Sequence, residues 1–267
     1  MSISPPLLTL TTDFGTQDSY VSQMKGVILS HAPQARLVDL SHELPPQNVL
    51  AASLFLEQVV PTFPNDTIHL CVVDPGVGSQ RRGVAVEFPS GRFVGPDNGL
   101  LTHWLEREQP LNVVELNQPQ WWRQPVSRTF HGRDVFAPVA AAWCRGHKLD
   151  ELGTAAQNPL VLLPQPAVVR TDEALTGEVI AVDHYGNLIT NLVATDVEHF
   201  AAGHHVFVEV GRQTNCKIHA CYADVPNGQL LALIGSSQRL EISVNCGHAA
   251  QTLKATTGTP VCVKPAG

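Results

Sequence analysis

The stretch VVDPGVGSQRRGVAV, residues 72–86, sets an acid, Asp74, at the end of an apolar run, then glycines, then Arg81 and Arg82. A carboxylate in that place can align a water molecule or accept its proton. An arginine nearby supplies a fixed positive charge for an oxygen that becomes negative. A second acid, Asp13 in TTDFG, also ends an apolar run ahead of a glycine. Taken alone, each acid reads first as a turn or helix-cap residue. Two of them at two strand ends suggest a shared site, because ligands of open α/β sheets gather outside the carboxyl ends of the strands. His131 in TFHGRD titrates near neutral pH and stands ahead of a helix, either as a catalytic group or in a capped turn. Arg133 and Asp134 can pair with each other. GPDNG, residues 95–99, suits a tight turn.

Further along, DHYGNLITN (residues 183–191) is either a hairpin turn or a pair of amides that read a flat heterocycle. Gly235-Ser236-Ser237 is either a plain loop or a set of hydroxyls and backbone N–H groups for a carboxylate. The 12 histidines and 6 cysteines are scattered, with no C-x-x-C or H-E-x-x-H, so no metal site is expected. Phosphate-loop, dinucleotide and serine-elbow motifs are absent.

The elements that must position these residues follow from periodicity. Leu7–Thr12, Ala35–Leu40, Thr67–Val73, Gly83–Glu87 and Arg92–Val94 read as strands. Residues 19–31, with Val21, Met24, Val27 and Ile28 on one face, read as a helix, as do 48–60, 100–106 and 135–146. Strands alternating with helices predict an α/β domain with a mostly parallel sheet, residues 1–165. Prolines and polar residues over 157–176 suggest a connection. Short β runs at 177–183, 205–210, 230–234, 240–244 and 260–263 then predict a smaller all-β domain, barrel or sandwich, over 172–267.

Bulk composition narrows the partners. A net charge of −7 with only 17 Lys and Arg argues against a nucleic-acid surface. No stretch approaches the roughly 18 uninterrupted apolar residues of a membrane span. The start, MSISPPLLTLTTDFG, lacks the features of a signal peptide, so the cysteines are expected as reduced thiols in the cytoplasm.

TTDFGTQDSYVSQMKGVI, VVDPGVGSQRR, GPDNGLL, FHGRDVFAPVAA, DHYGNLITN and SSQRLEISVN occur here in one order. Together they resemble the S-adenosyl-L-methionine (SAM) hydroxide adenosyltransferase family, the adenosine-forming SAM hydrolases, whose relatives include fluorinating and chlorinating enzymes. The resemblance runs from about Leu7 to Val263. It implies an N-terminal α/β domain joined to a C-terminal β-barrel. It further implies a homotrimer with active sites between the N-terminal domain of one subunit and the C-terminal domain of the next. The implied reaction is hydrolysis of SAM to adenosine and L-methionine, with SAM as substrate and no cofactor. The alternatives are a SAM-dependent halogenase and a non-catalytic SAM- or adenosine-binding protein. Carried over residue by residue, the resemblance makes Asp74, Arg81 and His131 catalytic. It assigns Asp13 to the ribose, Asn187 to the adenine, and Asp183 and Ser236 to the amino-acid end, with Asp18 and Ser19 as helpers. Gln238-Arg239 stands where many relatives have Gly-Tyr. Relatives that use halide carry a tyrosine-containing pocket in place of the acid-glycine stretch, so Asp74 speaks for water.

Overall fold

The computed structural model describes residues 5–211 and 214–266. It divides between Leu163 and Pro164 into two compact units.

The first unit is built on a seven-stranded sheet. Its strands are β1 (Leu7–Thr12), β2 (Arg36–Ser41), β3 (Ile68–Val72), β4 (Gly83–Phe88), β5 (Gly91–Pro96), β6 (Asn112–Glu115) and β7 (Thr154–Ala155), in spatial order β2-β1-β3-β5-β4-β6-β7. Its helices are α1 (Tyr20–His31), α2 (Val49–Val59), α3 (Thr102–Arg107), α4 (Ala137–Cys144) and α5 (Leu149–Leu152). The β2-β1-β3-β5 half is parallel, as expected. The pairs of β4 with β5 and β6, and of β6 with β7, are antiparallel. Only Pro89 and Ser90 join β4 to β5, which is a hairpin link too short for a parallel crossover.

Helices cover both faces of the sheet, which is why β3 is buried along its whole length and apolar except at His69. Leu70 and Val72 face a core with Met24 and Ile28 of α1 and Ala140 of α4. Cys71 and Val73 face the opposite core with Ala52 and Leu56 of α2 and Trp104 of α3. The expected α1 face is the buried one: Val21, Met24 and Ile28 are buried. Asn48 caps α2 by accepting from the Ala51 N–H at 2.9 Å.

Residues 158–163, expected within a connection, are held by this first unit. Arg82 pairs with the buried Asp97 of the GPDNG turn. Its guanidinium also donates to the carbonyls of Asn158 (3.2 Å) and Pro159 (2.7 Å). Asp97 accepts from the Val161 N–H at 2.8 Å.

The second unit is a closed barrel. Its strands are β8 (Val169–Arg170), β9 (Leu175–Val182), β10 (Leu188–Val193), β11 (Val206–Val210), β12 (Thr214–His219), β13 (Leu230–Ile234), β14 (Arg239–Val244) and β15 (Pro260–Pro265). The ring runs β9-β10-β14-β13-β12-β11-β15, and β15 pairs back to β9. Closure removes the exposed edges of an open sheet. Val179, Leu188, Val208, Ala232, Ile242 and Val263 pack in its core. The expectation of an all-β unit needs one amendment. Two short helices, α6 (Ala194–Ala201) and α7 (Ala249–Leu253), add Val197 and Ala249 to that core.

His69 is buried on β3, its Nδ1 2.9 Å from the Thr9 hydroxyl and its ring against Phe63 and Trp104. Burial pushes its pKa down to about 4. The unfolded chain takes up this proton near pH 6.5, so the stability it contributes is present above that pH and lost as pH falls toward 4. We expect a loss of about 3 kcal/mol from this residue over that window. Urea unfolding at several pH values checks it, and His69→Gln should flatten the profile there.

Candidate active site

Asp74 follows β3 at the carboxyl edge of the sheet. Its carboxylate accepts from Arg81 at both oxygens, Nε donating to Oδ1 at 2.9 Å and Nη2 to Oδ2. The Arg81 Nη2 also lies 2.9 Å from Nδ1 of His131. The three residues that the resemblance marks as catalytic thus form one hydrogen-bonded chain with the guanidinium in the middle. Arg82, next in sequence, turns to Asp97 instead.

Arginine can only donate, so the contact fixes the tautomer of His131: Nδ1 accepts and Nε2 carries the proton. Burial lowers the His131 pKa, and the Arg81 charge lowers it further against the opposing carboxylates of Asp74 and Asp134. His131 is therefore a neutral imidazole that offers an N–H.

Local backbone chemistry brings the two segments together. Gly78 has φ of +77°, and a Cβ there would sit 2.3 Å from the Arg128 carbonyl oxygen. The bare glycine lets the 74–81 loop close on the segment leading to His131. The Arg81 guanidinium also lies 5.1 Å from the Phe136 ring centroid. After His131, residues Gly132–Phe136 form a π-helical turn that opens α4, a device frequent at functional sites. Asp134 in this turn is fully buried and pairs with Arg133 at 2.7 Å, as the sequence suggested. Burial alone would raise its pKa, but Arg133, the Ser127 N–H and Arg123 outweigh it and hold the carboxyl low.

Asp13 leaves β1 at the same edge, since β1 and β3 are parallel with Thr12 opposite Val72. Its Oδ2 accepts from the Gln47 N–H at 2.7 Å. Asp18 and Ser19 are exposed ahead of α1. The Ser19 hydroxyl accepts from Gln23 at 2.8 Å, and Gln23 accepts from Arg133 at 2.8 Å, linking the start of α1 to the His131 segment. A cavity of about 380 Å³ lies here, lined by Phe14, Tyr20, Gln23, Phe130 and Arg133 among others. Its aromatic rings were not singled out from the sequence, although Phe14 and Phe130 directly follow Asp13 and precede His131.

In the second unit, Asp183, Asn187 and Ser236 line one cavity of about 690 Å³, with Tyr185, Tyr222 and Glu241. Asp183 organises the DHYGN loop: Oδ1 accepts the N–H groups of Tyr185 (2.9 Å) and Asn187 (2.8 Å), and Oδ2 accepts from the Asn187 amide at 2.8 Å. Gln238 has φ of +61°, a left-handed conformation that glycine takes without strain. Tyr222 and Glu241 were missed in the sequence. The one signal for Glu241 was an acid inside the apolar strand LEISV. Among the described residues, no three His, Cys, Asp or Glu side chains group as metal ligands, and no helix is long and apolar enough to cross a membrane.

A family model for the SAM hydroxide adenosyltransferase N-terminal domain matches residues 8–153, and one for its C-terminal domain matches residues 177–262. The chain is 38% identical over 258 residues to an (R)-S-adenosyl-L-methionine hydrolase of Salinispora tropica, covering 95% of each. A fluorinase of Actinopolyspora mzabensis is 28% identical over 243 residues, covering 81% of this chain and 79% of that protein. The crystal structure of an uncharacterized conserved protein from Thermotoga maritima matches with a TM-score of 0.89 at 34% identity, covering 96% of this chain and 99% of that one.

The His131 geometry carries its own test. Long-range proton–nitrogen NMR at pH 7 should show a neutral ring protonated on Nε2, titrating below the ordinary 6.5. The unfolded chain binds this proton first, so any stability it contributes is present above about pH 6.5 and lost on acidification. A ring protonated on Nδ1 would be incompatible with the Arg81 contact.

Proposed function

Because the chain belongs to the SAM hydroxide adenosyltransferase family, we propose that it is an enzyme that hydrolyses SAM to adenosine and L-methionine. Water attacks the ribose C5′ opposite sulfur, the C5′–S bond breaks, and its electron pair leaves on a neutral thioether. Departure therefore needs no general acid. The released proton passes through the site to solvent. The observation that carries this reading is the bridge of Arg81 between the Asp74 carboxylate and the His131 ring.

Asp74 is held by a guanidinium on both oxygens, which suits it to aligning a water molecule. Arg81 stabilises hydroxide character on the attacking oxygen. His131, neutral and offering Nε2–H, orients that oxygen. As the C–O bond forms, the water protons become far more acidic, so one is readily released. Asp13 receives the ribose hydroxyls, and Asn187 reads the adenine with its amide. The amino-acid end lies near Asp183 and Ser236, with Asp18 and Ser19 assisting. SAM is the substrate and no cofactor is required. Its relatives include (R)-S-adenosyl-L-methionine hydrolases, so the (R) sulfonium epimer is the form we expect to be consumed.

Incubation with SAM in water should yield adenosine and methionine in equal amounts. Asp74→Ala should lower turnover by about a hundredfold or more while SAM still binds. A 5′-halogenated nucleoside on addition of chloride or fluoride would mean a halogenase. Adenosine binding with turnover at the buffer rate would mean a binding protein.

The two units, taken as domains over 1–165 and 172–267, divide chemistry from recognition. We propose a cytoplasmic homotrimer in which each active site joins the N-terminal domain of one subunit to the C-terminal domain of the next. Light scattering should give three times the chain mass. Asp74→Ala and Asn187→Ala chains, each weakly active alone, should regain activity when co-expressed, because mixed trimers contain sites with both residues intact. A monomer, or no recovery in mixed assemblies, would oppose it.

A further inference from the structure

The barrel-unit cavity holds two acids, and their surroundings differ. Asp183 spends three hydrogen bonds on its own loop. Glu241 on β14 is only 7% exposed, yet its one described side-chain partner is the Tyr222 hydroxyl, which donates to Oε2 at 3.3 Å. Oε1 has no hydrogen-bond partner among the described residues, and Glu241 lines the cavity. The lining residues include no Lys, Arg or His among those described.

The fold makes room for this carboxyl. A Cβ on Gly235 would lie 1.7 Å from Oε1, so only glycine allows the acid to rest against the backbone there. Gly235 immediately precedes Ser236 in the loop between β13 and β14. Burial raises the Glu241 pKa, the Asp183 charge raises it further, and the Tyr222 bond only partly opposes them. A buried acid in this condition gains strongly from a cation that completes its hydrogen bonds.

An α-amino acid presents its ammonium and carboxylate one carbon apart. The hydroxyl and backbone N–H groups at Ser236 suit the carboxylate. The acid packed on the adjoining glycine suits the ammonium. Resting on the SAM hydrolase reading above, we infer that Glu241, seated on Gly235, is the residue that receives the substrate's α-ammonium group and selects for an intact amino-acid end. Asp183 then shapes the loop that presents Asn187.

Glu241→Gln keeps the shape and the Tyr222 contact but removes the charge. It should raise the KM for SAM about tenfold or more with kcat little changed, as loss of uniform binding does. Calorimetry should find adenosine affinity within about twofold of wild type, because adenosine lacks the ammonium. An unchanged KM, or adenosine weakened as much as SAM, would overturn the assignment. Gly235→Ala, which displaces the carboxyl, should show the same selective loss. A crystal of the wild-type protein with adenosine and L-methionine needs no variant. It should place the methionine nitrogen within about 3 Å of Glu241, and a nitrogen held by another acid instead would refute the inference. Wild-type protein that neither binds nor hydrolyses SAM would sink the underlying reaction; an active wild type with an indifferent Glu241→Gln would sink only this step.

Discussion

The guanidinium of Arg81 is the constraint on which the site depends. It is a rigid planar donor that cannot lose its proton under ordinary conditions. With Nε and Nη2 on Asp74 it fixes the carboxylate plane, and with Nη2 on His131 it fixes the ring tautomer. A lysine could neutralise Asp74 but could not impose both geometries at once. The rest of the first unit makes that placement possible. β3 ends at the sheet edge, Gly78 lets the loop fold back, and Phe136 backs the guanidinium plane.

Two arginines side by side illustrate how the chain divides chemistry from architecture. Arg81 faces the site, whereas Arg82 faces Asp97 and the carbonyls of Asn158 and Pro159. The different acids that hold them, Asp74 and Asp97, send them apart. Alternation along β3 splits Leu70 and Val72 from Cys71 and Val73 between two cores. Asp74, coming just after that strand, is anchored by a sheet packed on both faces, and a side chain on such a scaffold needs no large rearrangement to hold its position.

What the sequence disclosed and what it hid follow from range. Helix α1 and strand β3 rest on local periodicity, so they were legible. The Arg133–Asp134 pair is also local. Strand β10 lay concealed in DHYGNLITN because its polar residues looked like a turn, and although β9 is its near neighbour in the chain, its other partner, β14, is distant in sequence. Helices α6 and α7 are short, and each gains its stability from the barrel core rather than from propensity. The catalytic candidates were visible as types at strand ends. The role of Glu241 was not, because it depends on Tyr222 and Gly235, which reach it only through barrel closure.

Charge is distributed differently in the two units. The substrate of the proposed reaction carries a sulfonium and an ammonium and forms neutral adenosine on release. In the first unit, the Asp74 charge is already compensated by Arg81, so a water molecule there meets a balanced pair. In the barrel unit, the lining acids Asp183 and Glu241 face no described cation across the cavity. A positively charged ligand is thus favoured where recognition residues lie, while the reacting oxygen is met by a neutral pair. Under the proposed reaction, the balanced environment suits the attacking water and the acidic one suits the cationic substrate.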